Sequence, residues 1–407
     1  MTASTRNNFK PVYKVTRVFH PVGQGAFYSE SHSYDDAAPY TVVYDCGTKK
    51  DQNWLKSRIT ASGIVNPDLM FLSHFHDDHY KGIKFLNPKV IILPIMKEWD
   101  RVIFWIGSRL NHSGFNPNFT ADLQKRFPNS RIIQIQPADE ETEYPTDAPF
   151  TNIDEIPNPE DTDSFDTHGN IFPSGTRFNS SAIPDWIYIP VNPCLDMQTV
   201  QQFEDLVKAY RLDEDKLKAL DTQYFKEKID QLKNIYNAIG SPNEYSMAVY
   251  SGPSNSGMNL VHFDTNLGRI CSCPPFPHVR RFCPFFEFVP DPGCLYFGDM
   301  NLNNSLDPLK IIYRYLGNDL QEMIGTIQVP HHGSKDNYNS KLLKTFDLRS
   351  NSWTSRHHRV VYVISVGESN SYGHPNGFVM NELITSGHFL KLVTEDHTSD
   401  FAEVFAF

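Results

Sequence analysis

What the chain lacks narrows it first. No apolar run approaches the twenty or so residues that cross a bilayer, and Val90 to Met96 is among the longest. The opening stretch, MTASTRNNFKPVYKV, has no apolar core of a leader segment. Positive charge is short too: 37 Lys and Arg stand against 48 Asp and Glu, a formal charge of −11. That balance argues against a general coat for nucleic acid, whose phosphates are held mainly by Lys and Arg. It leaves room for a local site where metal cations supply the positive charge. Cysteine is scarce, and the six residues (Cys46, Cys194, Cys271, Cys273, Cys283 and Cys294) never form the paired CxxC knuckles of a zinc ribbon. Four of them fall within 24 residues, which leaves a small zinc site, a disulfide pair or reduced thiols open. Reduced thiols in a cytoplasmic protein with no membrane partner is the expectation.

What is present is organised around Leu72 to Gly82, LSHFHDDHYKG. Upstream, PDLMFL is short, apolar and turn-bounded, so it reads as a buried strand. Within the stretch His74, His76, Asp78 and His79 make the pattern H-x-H-x-D-H. His74 and His76 point to one side because side chains alternate along an extended chain. Asp78 and His79 follow where the chain turns. Three imidazoles and a carboxylate this close suit Zn, Mn or Fe.

The 407 residues, 40% of them hydrophobic, suit one large α/β domain with insertions. Strands are expected at Val15 to Val22, Ala26 to Ser31, Thr41 to Tyr44, Val90 to Pro94 and Arg131 to Gln136. Helices are expected at Trp54 to Ser62, Trp99 to Asn111 and Asn118 to Phe127. From Pro137 to about Pro193 Pro, Asp, Asn, Thr and Ser dominate, which reads as an inserted surface loop walling a cleft. Met197 to Tyr210 and Glu214 to Ile239 read as a helical hairpin. Its apolar stripe (Leu217, Leu220, Tyr224, Leu232, Ile235, Tyr236, Ile239) suits intramolecular core, with a homodimer seam as the other use. The division that follows is 1–136, an inserted 137–242, and 243–407. In the last part three strands (Gly293 to Phe297, Ile324 to Val329, Val360 to Val366) each end in a potential ligand: Asp299, His331 with His332, and His374.

The ordered motifs VGQG, YDCG, LSHFHDDH, FGD, VPHHGSK and SVGESNSYGHP resemble the metallo-β-lactamase-like domain of competence DNA-uptake channel proteins. They also resemble those of related phosphodiesterases and phosphorylcholine esterases. The resemblance covers 15–94 and 243–395; the membrane channel is absent, so a direct uptake role does not carry over. It implies a four-layer αββα sandwich holding two divalent metals, Zn or Mn. His74 and His76 would hold the first, Asp78 and His79 the second, with Asp299 bridging. His332, rather than His331 or else His374, would complete the second site. The first site has no obvious third histidine; His112, His168 and His262 are weak candidates. Asp45 would lie beside the metals as a supporting partner, and Ser334 and Lys335 would contact a phosphate oxygen. Asp78 would share in catalysis, and the histidines left unligated, His331 and His374, would protonate the leaving oxygen.

A metal pair lowers the pKa of water from about 15.7 to near 7, which is what phosphodiester hydrolysis needs at neutral pH. The first expectation is a nuclease acting on DNA, RNA or a nucleotide, guided by the basic clusters at 278–281 and 356–359. A small-substrate phosphodiesterase or esterase of the same fold is the alternative that a lid at 137–193 would favour. A non-catalytic binding or scaffold protein is the third, separable by metal analysis.

Overall fold

The computed structural model describes residues 13–34, 37–110, 119–138, 149–157, 170–193, 195, 197–240, 246–255, 258, 260, 262–266, 269–272, 290–304, 306–346, 360–368 and 370–407. They form a mixed α/β fold of two mixed sheets with eleven α-helices among the described residues. The first sheet runs β13 (Arg269–Ser272), β12 (His262–Thr265), β18 (Phe401–Ala406), β1 (Tyr13–Phe19), β2 (Phe27–Tyr34), β3 (Tyr40–Cys46), β4 (Leu69–Phe71), β5 (Val90–Pro94), β6 (Arg131–Ile135), β8 (Ile171–Phe172). It is antiparallel as far as β3 and parallel from β3 onward. The second sheet runs β17 (Phe389–Val393), β16 (Val361–Ser365), β15 (Ile324–Gln328), β14 (Gly293–Tyr296), β11 (Ala248–Pro253), β10 (Trp186–Val191), β9 (Phe178–Asn179), β7 (Thr151–Asn152).

Alternation within the strands decides the packing. Val15, Phe19, Tyr28, Tyr44 and Phe71 meet Trp186, Tyr188, Val249 and Tyr296 in one core between the sheets. Residues of opposite facing in the first sheet, such as Val43, Met70 and Ile91, pack outward onto Leu55, Ile59 and Phe104 of the helices Gln52–Ser62 and Glu98–Leu110. On the far side, Ile189, Tyr250, Leu295 and Ile364 pack against the helices Pro308–Gln321 and Gly377–Thr385.

Two expectations are corrected. Residues 137–193 are not simply a surface loop: they supply β7 to β10, and β10 is buried along its whole length. Polar flanks hid that strand, whose WIYIPV is apolar on both faces because it lies inside the second sheet. The helix expected from Glu214 to Ile239 is three pieces, Glu214–Lys218, Thr222–Glu227 and Ile229–Ala238, broken where Leu220 takes φ 55° and Asp221 caps the next piece. The stripe residues still work as core. They close on Trp99, Val102, Trp105 and Ile106 of this same chain. Sandwiched between that layer and the sheet, the helix Glu98–Leu110 is buried continuously from Val102 to Ser108. No helix among the described residues is long and apolar enough to cross a membrane.

Candidate metal centre

Six residues from both sheets converge at the strand tips. β4 delivers Ser73, His74 and His76, and the short helix Asp77–Tyr80 carries Asp78 and His79. β14, β15 and β16 run parallel, so their C-terminal ends deliver Asp299, His331 with His332, and His374 to one edge. Ligand atoms of His74, His76 and Asp299 lie within 4.8 Å of one another, and so do those of Asp78, His79 and His332. Asp299 joins the two groups: its Oδ2 is 3.6 Å from His74 Nε2, and its Oδ1 is 3.0 Å from His79 Nε2 and 3.8 Å from His332 Nε2. All six residues are buried.

Close glycines let the segments approach. Gly47, at the end of YDCG, packs so tightly that a Cβ would lie 2.2 Å from the Asp78 carbonyl carbon. Gly298 has φ 57°, and a Cβ there would meet Ser246 Oγ at 2.4 Å. His331 and His332 adopt φ 45° and 54° without being glycine, a backbone cost that proteins concentrate at functional sites. Gln328 braces the turn into Asp299, accepting from the Phe297 and Gly298 N–H groups at 2.7 Å each.

Outer partners aim the histidines. His79 Nδ1 meets Asp45 Oδ2 at 2.8 Å, while Asp45 also accepts from Ser73 N and Oγ at 2.7 and 2.6 Å. His332 Nδ1 donates to the Ser365 carbonyl at 2.8 Å, and His74 Nδ1 lies 2.9 Å from Ser73 Oγ. Each of these rings therefore turns Nε2 inward. His74 Nε2 and His332 Nε2 are buried with no hydrogen bond among the described residues, while His79 Nε2 and Asp299 Oδ1 face each other at 3.0 Å. Orphaned polar atoms of this kind are rare unless something else satisfies them. The donor set of imidazole nitrogen and carboxylate oxygen fits divalent transition metals.

Electrostatics agree with a site built for positive charge. Burial disfavours ionisation of Asp299, yet His79, His331 and His332 outweigh it and hold the carboxyl well below the usual range. Burial likewise opposes a charge on His79, but Asp299 and Asp45 on either side hold its imidazole well above its ordinary value. A cation on Nε2 would take the place of that proton. Burial, then His79, push His74 well down, leaving a neutral ring.

Among the other expected residues, Asp45 lies beside the cluster, and His331 reaches Asp299 Oδ2 at 3.7 Å while keeping 26% of its side chain exposed. His374 lies tilted at 58° to His331, ring centroids 5.4 Å apart, and burial followed by His331 lowers it to about 4. Ser334 is buried. Lys335 is exposed, with its ammonium 5.8 Å from the Phe378 ring centroid, outside the carboxylate cluster. His112, His168, Cys273, Cys283 and the basic clusters at 278–281 and 356–359 lie outside the described residues, as does the side chain of His262. Cys46 and Cys294 are buried free thiols. Asp299 takes the third place beside His74 and His76 that no histidine filled in the sequence. Unforeseen were Lys49, whose Nζ pairs with Asp78 Oδ1 at 3.0 Å, and Ser108, 3.3 Å from His76 Nε2. In the sequence Lys49 falls in TKK directly after YDCG. No family model matches the chain, and no curated protein does.

Proposed function

We propose that this chain is a dinuclear-metal-dependent phosphodiesterase of the metallo-β-lactamase sandwich type, and a nuclease in particular. The observation that carries the reading is the pair of buried three-residue groups joined by Asp299, with bare ligand atoms facing inward. His74, His76 and Asp299 would hold one cation and Asp78, His79 and His332 the other. Such a pair, Zn or Mn, supplies positive charge toward phosphate oxygens and ionises water near neutral pH.

The chain's own residues then divide the remaining work. Asp45 and the Ser365 carbonyl keep His79 and His332 turned inward. Lys49, partly exposed and already at Asp78, is placed to draw a phosphate oxygen toward the cluster. His331, half open on the outer edge of Asp299, is the group placed to pass a proton to the leaving oxygen. The buried walls around the cluster keep bulk water from screening these charges.

Hydrolysis of bis-p-nitrophenyl phosphate, with Mn or Zn added to chelator-treated protein, tests this. The wild-type protein turns it over, and Asp299→Asn and His76→Ala each lose about a hundredfold or more. Equal turnover by either variant would remove the reading.

A further inference from the structure

We infer that Tyr372 is a specificity residue of this site, a shelf on which one base of a single-stranded nucleic acid stacks while its phosphate enters the metal centre. The inference rests on the phosphodiesterase reading above and adds the substrate class. Tyr372 is 59% exposed, although it belongs to the loop that carries His374. Its ring runs nearly parallel to the His374 ring, at 14° and 6.3 Å between centroids. His374 in turn lies 5.4 Å from His331, and His331 Nε2 is 3.7 Å from Asp299. Three rings thus lead from the carboxylate at the centre out to solvent.

A lone exposed aromatic needs no explanation. This one differs in how it is held. The Asn370 side chain accepts from the Tyr372 and His374 N–H groups at 3.2 Å each and donates to the His374 and Gly367 carbonyls at 2.6 and 2.8 Å. The loop is therefore pinned with its tyrosine presented outward, the pre-organisation a binding surface needs. Phe378, 48% exposed, stands just beyond at the start of the next helix with the Lys335 ammonium over its face. Lys49 lies on the metal centre's other carboxylate. Exposed rings for bases and lysines for the backbone are the ingredients of single-strand binding. A duplex keeps its bases stacked inside and offers no face to Tyr372 without flipping one out. Stacking also tolerates any base, so the site would select strandedness rather than sequence.

The test is fluorescence anisotropy in Mn with phosphorothioate-linked strands, which keep their charge and resist cleavage. A fluorescein-labelled oligothymidylate is compared with a fully abasic strand of equal length and with a duplex. The wild-type protein binds the oligothymidylate about tenfold or more tighter than either. Tyr372→Ala brings that preference close to one, whereas Tyr372→Phe keeps it. Equal affinity of the wild-type protein for the base-bearing and abasic strands, or a preference that survives in Tyr372→Ala, overturns the inference. The ratio decides the matter even if the wild-type protein fails to hydrolyse bis-p-nitrophenyl phosphate, a failure that would remove the hydrolase reading instead.

Discussion

His32 is buried between the sheets, its Nδ1 at 2.7 Å from the Tyr13 hydroxyl and its Nε2 at 2.8 Å from that of Tyr188. Burial lowers its pKa, with Glu30 pulling the other way. The folded protein therefore keeps His32 neutral where an unfolded chain would protonate it, below about pH 6.5. Where the unfolded state binds more protons, stability rises with pH. The contribution is full above that value and is lost as pH falls below it, by up to about 1.4 kcal/mol per unit. In urea unfolding, His32→Gln should be less stable at pH 7.5 by about 1–3 kcal/mol, yet lose less than the wild-type protein between pH 6.5 and 5. Equal losses would show that His32 accepts its proton in the fold. None of this was visible in the sequence, where His32 is one histidine of sixteen in the polar-looking run ESHSY. His74, His76, Asp78 and His79 were legible because the chain places them within one short stretch. Lys49, Ser108 and Gln328 depend on contacts made across the fold, and spacing carries no record of those.

At the scale of elements, the centre depends on how closely β3 approaches the helix Asp77–Tyr80. Gly47 N–H donates to the Ala26 carbonyl at 2.7 Å, Ala26 N–H to the Asp78 carbonyl at 3.2 Å, and Gly82 N–H to the Cys46 carbonyl at 2.7 Å. A methyl group at Gly47 would push Asp78 and His79 out of place. Gly47→Ala should cost about 1–3 kcal/mol by overpacking and lower the Mn or Zn retained after dialysis. Gly63 makes a fair control: it ends the helix Gln52–Ser62 at φ 73° with open space around it. Gly63→Ala should cost about 1–2 kcal/mol through backbone strain while leaving metal content as it was. Full metal retention by Gly47→Ala would show that the approach has slack. Short apolar runs bounded by turn residues, such as β3 and β5, read well from sequence although they carry no alternation. β10 did not, because its equally apolar run sits inside a Pro- and Asp-rich stretch whose composition reads as loop.

For the whole molecule, the centre is split between two sheets: His74, His76, Asp78 and His79 follow the first, and Asp299 and His332 the second. Whatever keeps the sheets in register keeps the centre assembled. Arg17 is the strongest such tie. It donates to Glu30 at 2.8 Å and Glu403 at 3.0 Å on neighbouring strands of its own sheet, and to the Pro292 carbonyl at 2.9 Å at the start of β14. Glu30 accepts from Ser251, Tyr188 and Tyr296 at 2.6, 3.0 and 3.0 Å, and Glu403 from Thr326 at 2.7 Å, so all four sheet-two strands from β10 to β15 are engaged. Every carboxylate oxygen here has a partner, the condition under which a buried charge cluster is tolerable. Arg17→Met keeps much of the volume but strands two buried carboxyls, at a cost of about 3–5 kcal/mol. Replacing both acids as well, in Arg17→Met/Glu30→Gln/Glu403→Gln, should recover part of that loss, since no charge is then left unpaired. Because the tie spans the sheets, the single variant should also bind Mn more weakly at temperatures where it is still folded, read by metal titration beside circular dichroism. Unchanged Mn affinity in a measurably destabilised Arg17→Met would mean that the strand tips hold their register without help from the core beneath them.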